Sequence, residues 1–221
     1  MAKDTLKISA SNLGYGDCAV EAWLKARGLQ FPGFMGSATL SELHKEQKER
    51  LEKCSSLHSL CDEFPKGKVV SSGKMPSTLP FEVEGVSVFL KGHYNYLIKL
   101  NDSEEDYALL AFKTSDPTKN LDSLTVQLNA NAWILANSKN HEERVKIVQL
   151  GVIVFDPNAF DRGDSFYQFY EVELNLDKFE NEILPEYVKM IASTAIPAYC
   201  GCKWCKFLSE FETMKFELTT A

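Results

Sequence analysis

The sequence predicts a three-layer α/β/α domain with a mixed central sheet, and three observations carry that prediction. Helical patterning comes first, a β-hairpin that closes on a lysine follows, and a helix then leads into a strand that is apolar almost without interruption. The hairpin and its helix occupy residues 91–133, and the apolar strand is Arg144–Asp156, RVKIVQLGVIVFD. A strand without polar alternation belongs in the middle of a sheet covered on both faces.

The 221 residues read as one domain, 1–221, long enough to bury a core without staples, with a carboxy-terminal cysteine segment at about 195–211. From Ser9, hydroxyl and amide caps precede a helix that carries Cys18 in its middle and ends at Gly28. Phe31–Gly36 is a loop. Ser37–Cys54 is amphipathic, with Leu40, Leu43, Gln47 and Leu51 on one stripe and His44 beside it. Residues 55–79 are rich in breakers and offer one short strand candidate at Lys68–Ser71.

Strand material begins at Phe81, and Val86–Leu100 reads as the first arm of the hairpin. Residues 101–106 make an acidic turn too polar to bury, and Tyr107–Thr114 returns as the second arm, with Lys113 at its end. Leu121–Ser138 places Leu124, Leu128, Ala132 and Leu135 on one helical face that must pack on the sheet. After the central strand, Ser165–Glu173 alternates as an outer strand, and Leu176–Ala192 is a second amphipathic helix.

Chemistry concentrates in two places. An ammonium is costly to bury, so a lysine closing an apolar strand reaches either solvent or an acidic partner. Six cysteines are more than packing needs, and three of them, Cys200, Cys202 and Cys205, fall within six residues. In a reducing compartment, such clustering points to metal or cluster ligation rather than disulfides. Cys18 taken alone reads as a small core residue, and His44 taken alone as an ordinary helix residue.

The order Gly92-His93-Tyr94-Asn95, then Ala111-Phe112-Lys113, then Gln127 with Asn131 four residues later resembles the motif series of the PD-(D/E)XK nuclease superfamily. Its RecB-like branch, with the iron-sulfur exonucleases of CRISPR spacer acquisition, is the part it is most similar to. That resemblance implies a restriction-endonuclease-like fold. It also implies a divalent-metal site around His44 and Asn95, with Lys113 and Gln127 completing the catalytic set. Cys18, Cys200, Cys202 and Cys205 would then be cluster ligands, a four-iron four-sulfur cluster being preferred and zinc the runner-up.

Three family residues are absent. Asn95 and Ala111 stand where two metal-binding acids are expected, and Asn131 where a tyrosine is expected. Magnesium or manganese takes oxygen ligands with charge, so a loss of both acids predicts impaired cleavage. The expectation is a nucleic-acid-processing protein with a degenerate nuclease site. Its alternatives are a non-catalytic DNA-binding or assembly module, or an active exonuclease with an acid relocated to Glu82, Glu84, Asp106 or Asp116. The expected partners are DNA, single-stranded in particular, and other subunits of a DNA-processing or CRISPR adaptation complex.

A formal charge of −7 does not suggest a general nucleic-acid coat protein, and local basic faces remain open around Lys45, Lys48, Arg50 and Lys53. No apolar run is long enough to span a membrane, and the first residues lack the apolar core of a signal peptide. The expected location is the cytoplasm.

Overall fold

The computed structural model describes residues 5–14, 18–29, 38–54, 57–103, 105–114, 121–156, 159, 166–203 and 205–210. Its elements are β1 (Leu6–Ser9), α1 (Ala10–Leu13), α2 (Ala19–Ala26), α3 (Ala38–Lys53), β2 (Gly67–Ser72), β3 (Phe81–Val83), β4 (Val86–Lys91), β5 (Tyr96–Leu100) and β6 (Asp106–Thr114). They continue with α4 (Leu121–Ala136), β7 (Lys146–Phe155), β8 (Tyr167–Val172), α5 (Leu176–Lys178), a π-helical turn at Phe179–Ile183, and α6 (Leu184–Ala192).

Five strands form the main sheet in the order β2-β5-β6-β7-β8. The β5–β6 pair is antiparallel and the β6–β7 pair parallel, so the sheet is mixed, and α4 is the crossover that a parallel pair requires. Alternation along β6 and β7 sends side chains to two cores. Leu109, Ala111, Leu150, Val152 and Val154 meet Leu124, Leu128, Ala132 and Leu135 of α4. Ala108, Leu110, Phe112, Ile153 and Phe155 face the other way, where Leu43 and Leu51 of α3 pack. Helix, sheet and helix are the three layers that the pattern predicts.

Helix α4 is buried on more than the predicted stripe. Its opposite side, Ala130, Trp133 and Ile134, packs against Ile8, Val88, Leu90, Leu184 and Val188. A helix that is apolar all round needs a second partner. Here the partner is a small three-stranded sheet, β1-β4-β3, together with α6.

That second sheet revises several sequence expectations. The predicted arm Val86–Leu100 is two strands in two sheets, because the chain turns a corner at residues 92–95 between β4 and β5. Residues 6–9, which carry no strand signal of their own, pair in parallel with β4. The helix expected to run through Cys18 is two short helices, and Cys18 is the N-cap of the second rather than a mid-helix residue. The helix expected over Leu176–Ala192 contains a π-helical turn. Helix α3, α4, β7 and β8 lie where the patterns place them, within a few residues at their ends. The predicted loop Phe31–Gly36, Ser37, Asp116 and the Leu40 side chain lie outside the described residues.

Candidate functional site

The corner between β4 and β5 sets the site. Gly92 donates its N–H to the Pro76 carbonyl at 2.9 Å, and its α-carbon passes so close to α4 that a β-carbon there would stand 2.5 Å from Asn131 Oδ1. Only a residue without a side chain allows that approach. Asn131, 1% exposed, fastens the next residue twice: its Oδ1 accepts the His93 N–H at 2.9 Å and its Nδ2 donates to the His93 carbonyl at 3.0 Å. The position expected to hold a tyrosine is therefore an amide clamp on the corner. The sequence shows no signal for this, since the two partners are 38 residues apart.

The chain then delivers Asn95 to the mouth of β5. The last β5–β6 pair is Tyr96 with Leu110, and the next N–H along, that of Phe112, is taken by Asn95 Oδ1 at 2.8 Å. The Asn95 carbonyl in turn accepts the Gly73 N–H at 3.2 Å. Ala111 is buried in the core under α4, and Lys113, half-buried, follows two residues later on the same face of β6. Burial holds the Lys113 ammonium below its ordinary pKa of 10.5, and no carboxylate contributes to that shift.

Helix α3 brings His44 to the other side of β6. Its Nδ1 lies 3.2 Å from Thr114 Oγ1, and its ring packs on Phe112 with centroids 5.0 Å apart. Two hydrogen bonds seat the helix on the sheet: Tyr167 OH donates to Gln47 Oε1 at 2.6 Å, and Tyr96 OH donates to the Lys48 carbonyl at 3.3 Å. Burial, with Lys113 and Lys48 nearby, holds the His44 imidazole below the ordinary value of 6.5. His93 is shifted the same way, by partial burial of its ring and by Lys48.

Asn95, Lys113 and His44 thus all lie at the end of β6, with Lys113 and His44 on opposite sides of the strand. Gln127 lies on α4, where its β-carbon lies 3.4 Å from the position a β-carbon on Gly14 would take. Among the described residues, no hydrogen bond joins it to Lys113 or Asn95. Two members of the cluster were not singled out from the sequence for this site: Lys48, one helical turn beyond His44, and His93. The turn spacing of Lys48 from His44 was the available signal.

The candidate replacement acids divide by position. Glu82 and Glu84 belong to the β3–β4 hairpin of the small sheet. Asp106 starts β6, roughly 23 Å from Lys113 at strand rise, and pairs with Lys146 at 2.8 Å. A different carboxylate stands at the right end of the sheet. Asp156, 5% exposed, lies two positions beyond Val154, the partner of Lys113 across β6 and β7.

The cysteines form a second site. Cys18 is buried at the N-terminus of α2, where its Sγ accepts the Glu21 N–H at 3.4 Å. Arg27, stacked over the Trp23 ring, caps the end of α6 by donating to the Ile191 carbonyl at 3.0 Å and the Ser193 carbonyl, and so turns the tail back toward α2. Gly201, at φ +76°, lets Cys200 and Cys202 reach the same centre. The sulfurs of Cys18 and Cys205 are 3.7 Å apart, those of Cys200 and Cys205 3.7 Å, and those of Cys202 and Cys18 3.6 Å. All four lie within 4.8 Å of one another and can hold a metal ion. Burial pushes the Cys18 thiol up to about 12, against the pull of the Glu21 N–H, and raises Cys205 as well. Cys54 and Cys61 instead pack against the α3-side core.

No family model matches the chain, and no curated protein matches its sequence. Among solved structures, it is similar to the crystal structure of SSO0001, at 16% identity and a TM-score of 0.55, over 95% of this chain and 87% of that one. An alkaline exonuclease, LHK-Exo from Laribacter hongkongensis, aligns at 12% identity and a TM-score of 0.45, over 97% of this chain and 94% of that one. The same enzyme in complex with dAMP aligns at 11% and 0.43, with the same coverage. The likeness to SSO0001 is one of fold. No helix among the described residues is long and apolar enough to cross a membrane.

Proposed function

We propose that this chain is a nucleic-acid-handling protein of the RecB-like branch of the PD-(D/E)XK superfamily that has lost metal-dependent cleavage. In this reading it binds DNA, single-stranded in particular, as a module of a DNA-processing assembly such as the CRISPR spacer-acquisition machinery. The observation that carries the reading is the pair of lysines, Lys113 and Lys48, that stands near His44 at the end of β6. Lys113 and Lys48 both act on the His44 ring, Lys48 acts on the His93 ring, and among the described residues no carboxylate figures among the causes of the shifts of Lys113, His44 or His93.

The donor set does not fit magnesium or manganese. Such ions take charged oxygens in near-octahedral geometry. The two positions where the family resemblance expects metal-binding acids offer an amide oxygen already bonded to the Phe112 N–H and a methyl group. The same set suits a phosphate. Lys113 and Lys48 supply positive charge, the Asn95 amide nitrogen remains a donor, and protonated His44 adds a further cation. Chain-wide acidity then limits binding to this one face.

Gel-shift assays in EDTA, run beside cleavage assays with Mg²⁺ or Mn²⁺ on labelled single- and double-stranded DNA, test the proposal. Binding without cleavage is expected, and absence of binding overturns it. A second reading, an active exonuclease with a relocated acid, rests on the position of Asp156 just beyond the strand paired with the one that carries Lys113. Cleavage that disappears in both Asp156→Asn and Lys113→Ala would replace the first reading with this one.

A further inference from the structure

We propose that Cys18, Cys200, Cys202 and Cys205 hold one tetrahedral zinc ion and not a four-iron four-sulfur cluster. Four thiolates around a single ion at about 2.3 Å stand about 3.8 Å from one another along the edges of a tetrahedron. The measured separations of 3.6, 3.7 and 3.7 Å match that edge, and no pair exceeds 4.8 Å. In a cubane each cysteine binds a different corner iron, and the sulfurs stand about 6.4 Å apart. Holding one would require every pair to separate by well over an ångström, and the three measured pairs by more than two.

The backbone opposes that expansion. Cys200 and Cys202 flank a single glycine in a left-handed turn, and Cys202 and Cys205 belong to one helical turn, closed by the Lys206 N–H donating to the Cys202 carbonyl at 2.9 Å. Three of the four sulfurs therefore come from six consecutive residues. Cys18 is fixed as the N-cap of α2. Cys18 and Cys205 are buried in a cluster with Val20, Leu24 and Leu208, so spreading their sulfurs apart would displace packed apolar side chains. Ferrous iron accepts the same tetrahedron, but a thiolate site binds zinc more tightly than ferrous iron. The ion would be a staple without redox chemistry, joining the start of α2 to the tail across more than 180 residues of chain.

The test measures metal and sulfide content and involves no nucleic acid, so its outcome is separate from that of the DNA-handling proposal. The full chain is produced in iron-replete cells and purified without oxygen, so that no cluster is lost during isolation. One zinc per chain, no acid-labile sulfide, no colour, and an X-ray absorption spectrum with sulfur neighbours but no metal–metal scattering are expected. Four irons with four sulfides in a brown protein would overturn the proposal, as would a single iron or a metal-free chain. In a chelator competition, the exposed ligand variant Cys200→Ser should bind zinc about tenfold or more weakly, while Cys54→Ser and Cys61→Ser retain one zinc. Equal loss in all three variants would also overturn it.

Discussion

The side-chain oxygen of Asn95 accepts the backbone N–H of Phe112 at 2.8 Å, so a side chain of the β4–β5 corner extends the ladder just where the lysine-bearing strand runs past its last β5 partner. Asn95→Ala removes this acceptor and should lower stability by about 1–2 kcal/mol in urea denaturation. Asn95→Asp keeps an acceptor oxygen and should cost less than half as much.

The same position gives a gain-of-function test. In Asn95→Asp with Ala111→Asp, two carboxylates would face each other across the mouth of the hairpin, beside Lys113. The double variant should cleave labelled DNA in Mn²⁺ while each single variant does not, because a hard cation needs both charged oxygens. Ala111 is buried, so the second change should also cost about 1–3 kcal/mol, which a melting curve reads directly.

If Lys48 and Lys113 meet phosphates, they act through counterion release. Replacing either with alanine should weaken single-stranded DNA binding for all sequences alike. It should also reduce the slope of log affinity against log salt by about 0.7, the single-strand value per phosphate contact. Lys99→Ala, on β5 near the acidic turn, should leave the slope unchanged, and a titration at four salt concentrations checks all three.

The shift of His44 predicts a pH dependence with a definite sign. A histidine whose folded pKa lies below its unfolded value of 6.5 binds protons more readily in the unfolded chain. Its contribution to stability is therefore full above pH 6.5 and is lost as the pH falls through 6.5 toward the folded pKa. DNA binding should move oppositely, strengthening over that fall as the imidazolium forms beside the phosphate. In His44→Gln, both dependences should flatten in melting and binding series between about pH 8 and pH 5.

Asn131 holds the corner by two hydrogen bonds inside the protein. Asn131→Ala would leave the His93 peptide unsatisfied at both ends and should cost about 2–4 kcal/mol. Gly92→Ala drives a methyl group into the same amide and should destabilise to a similar degree. The double variant should cost less than the sum, because one clamp is being removed twice, and a denaturation cycle measures the difference.

Much of the scaffold was legible because it is written locally. The 3.6-residue spacing of Leu124, Leu128 and Leu135 and the unbroken apolar run of β7 each encode an element and its buried face within a few turns. Lys113 at a strand end, His44 beside its helical stripe and the cysteines within six residues of the tail were visible for the same reason. The small sheet was not. Leu6–Ser9 becomes a strand only by pairing with residues some eighty positions away, and Val86–Leu100 is apolar on both sides of a bend that composition does not mark. The N-cap role of Cys18 was likewise hidden, because the patterns at residues 9–13 and 19–26 read as one helix.

The sequence by itself determined the layers of this protein, the central strand, the lysine of the candidate site and three of its four candidate metal-binding thiols, since periodicity and residue chemistry are local properties; Cys18 was a candidate only through the family resemblance. Tertiary structure alone decided that Asn131 is a clamp, that Lys48 stands near both His44 and His93, that Asp156 rather than Asp106 is the acid at the end of the sheet that carries Lys113, and how far apart the four sulfurs stand. Each of these depends on distances between residues far apart in the chain, which close packing sets only when the whole fold has formed.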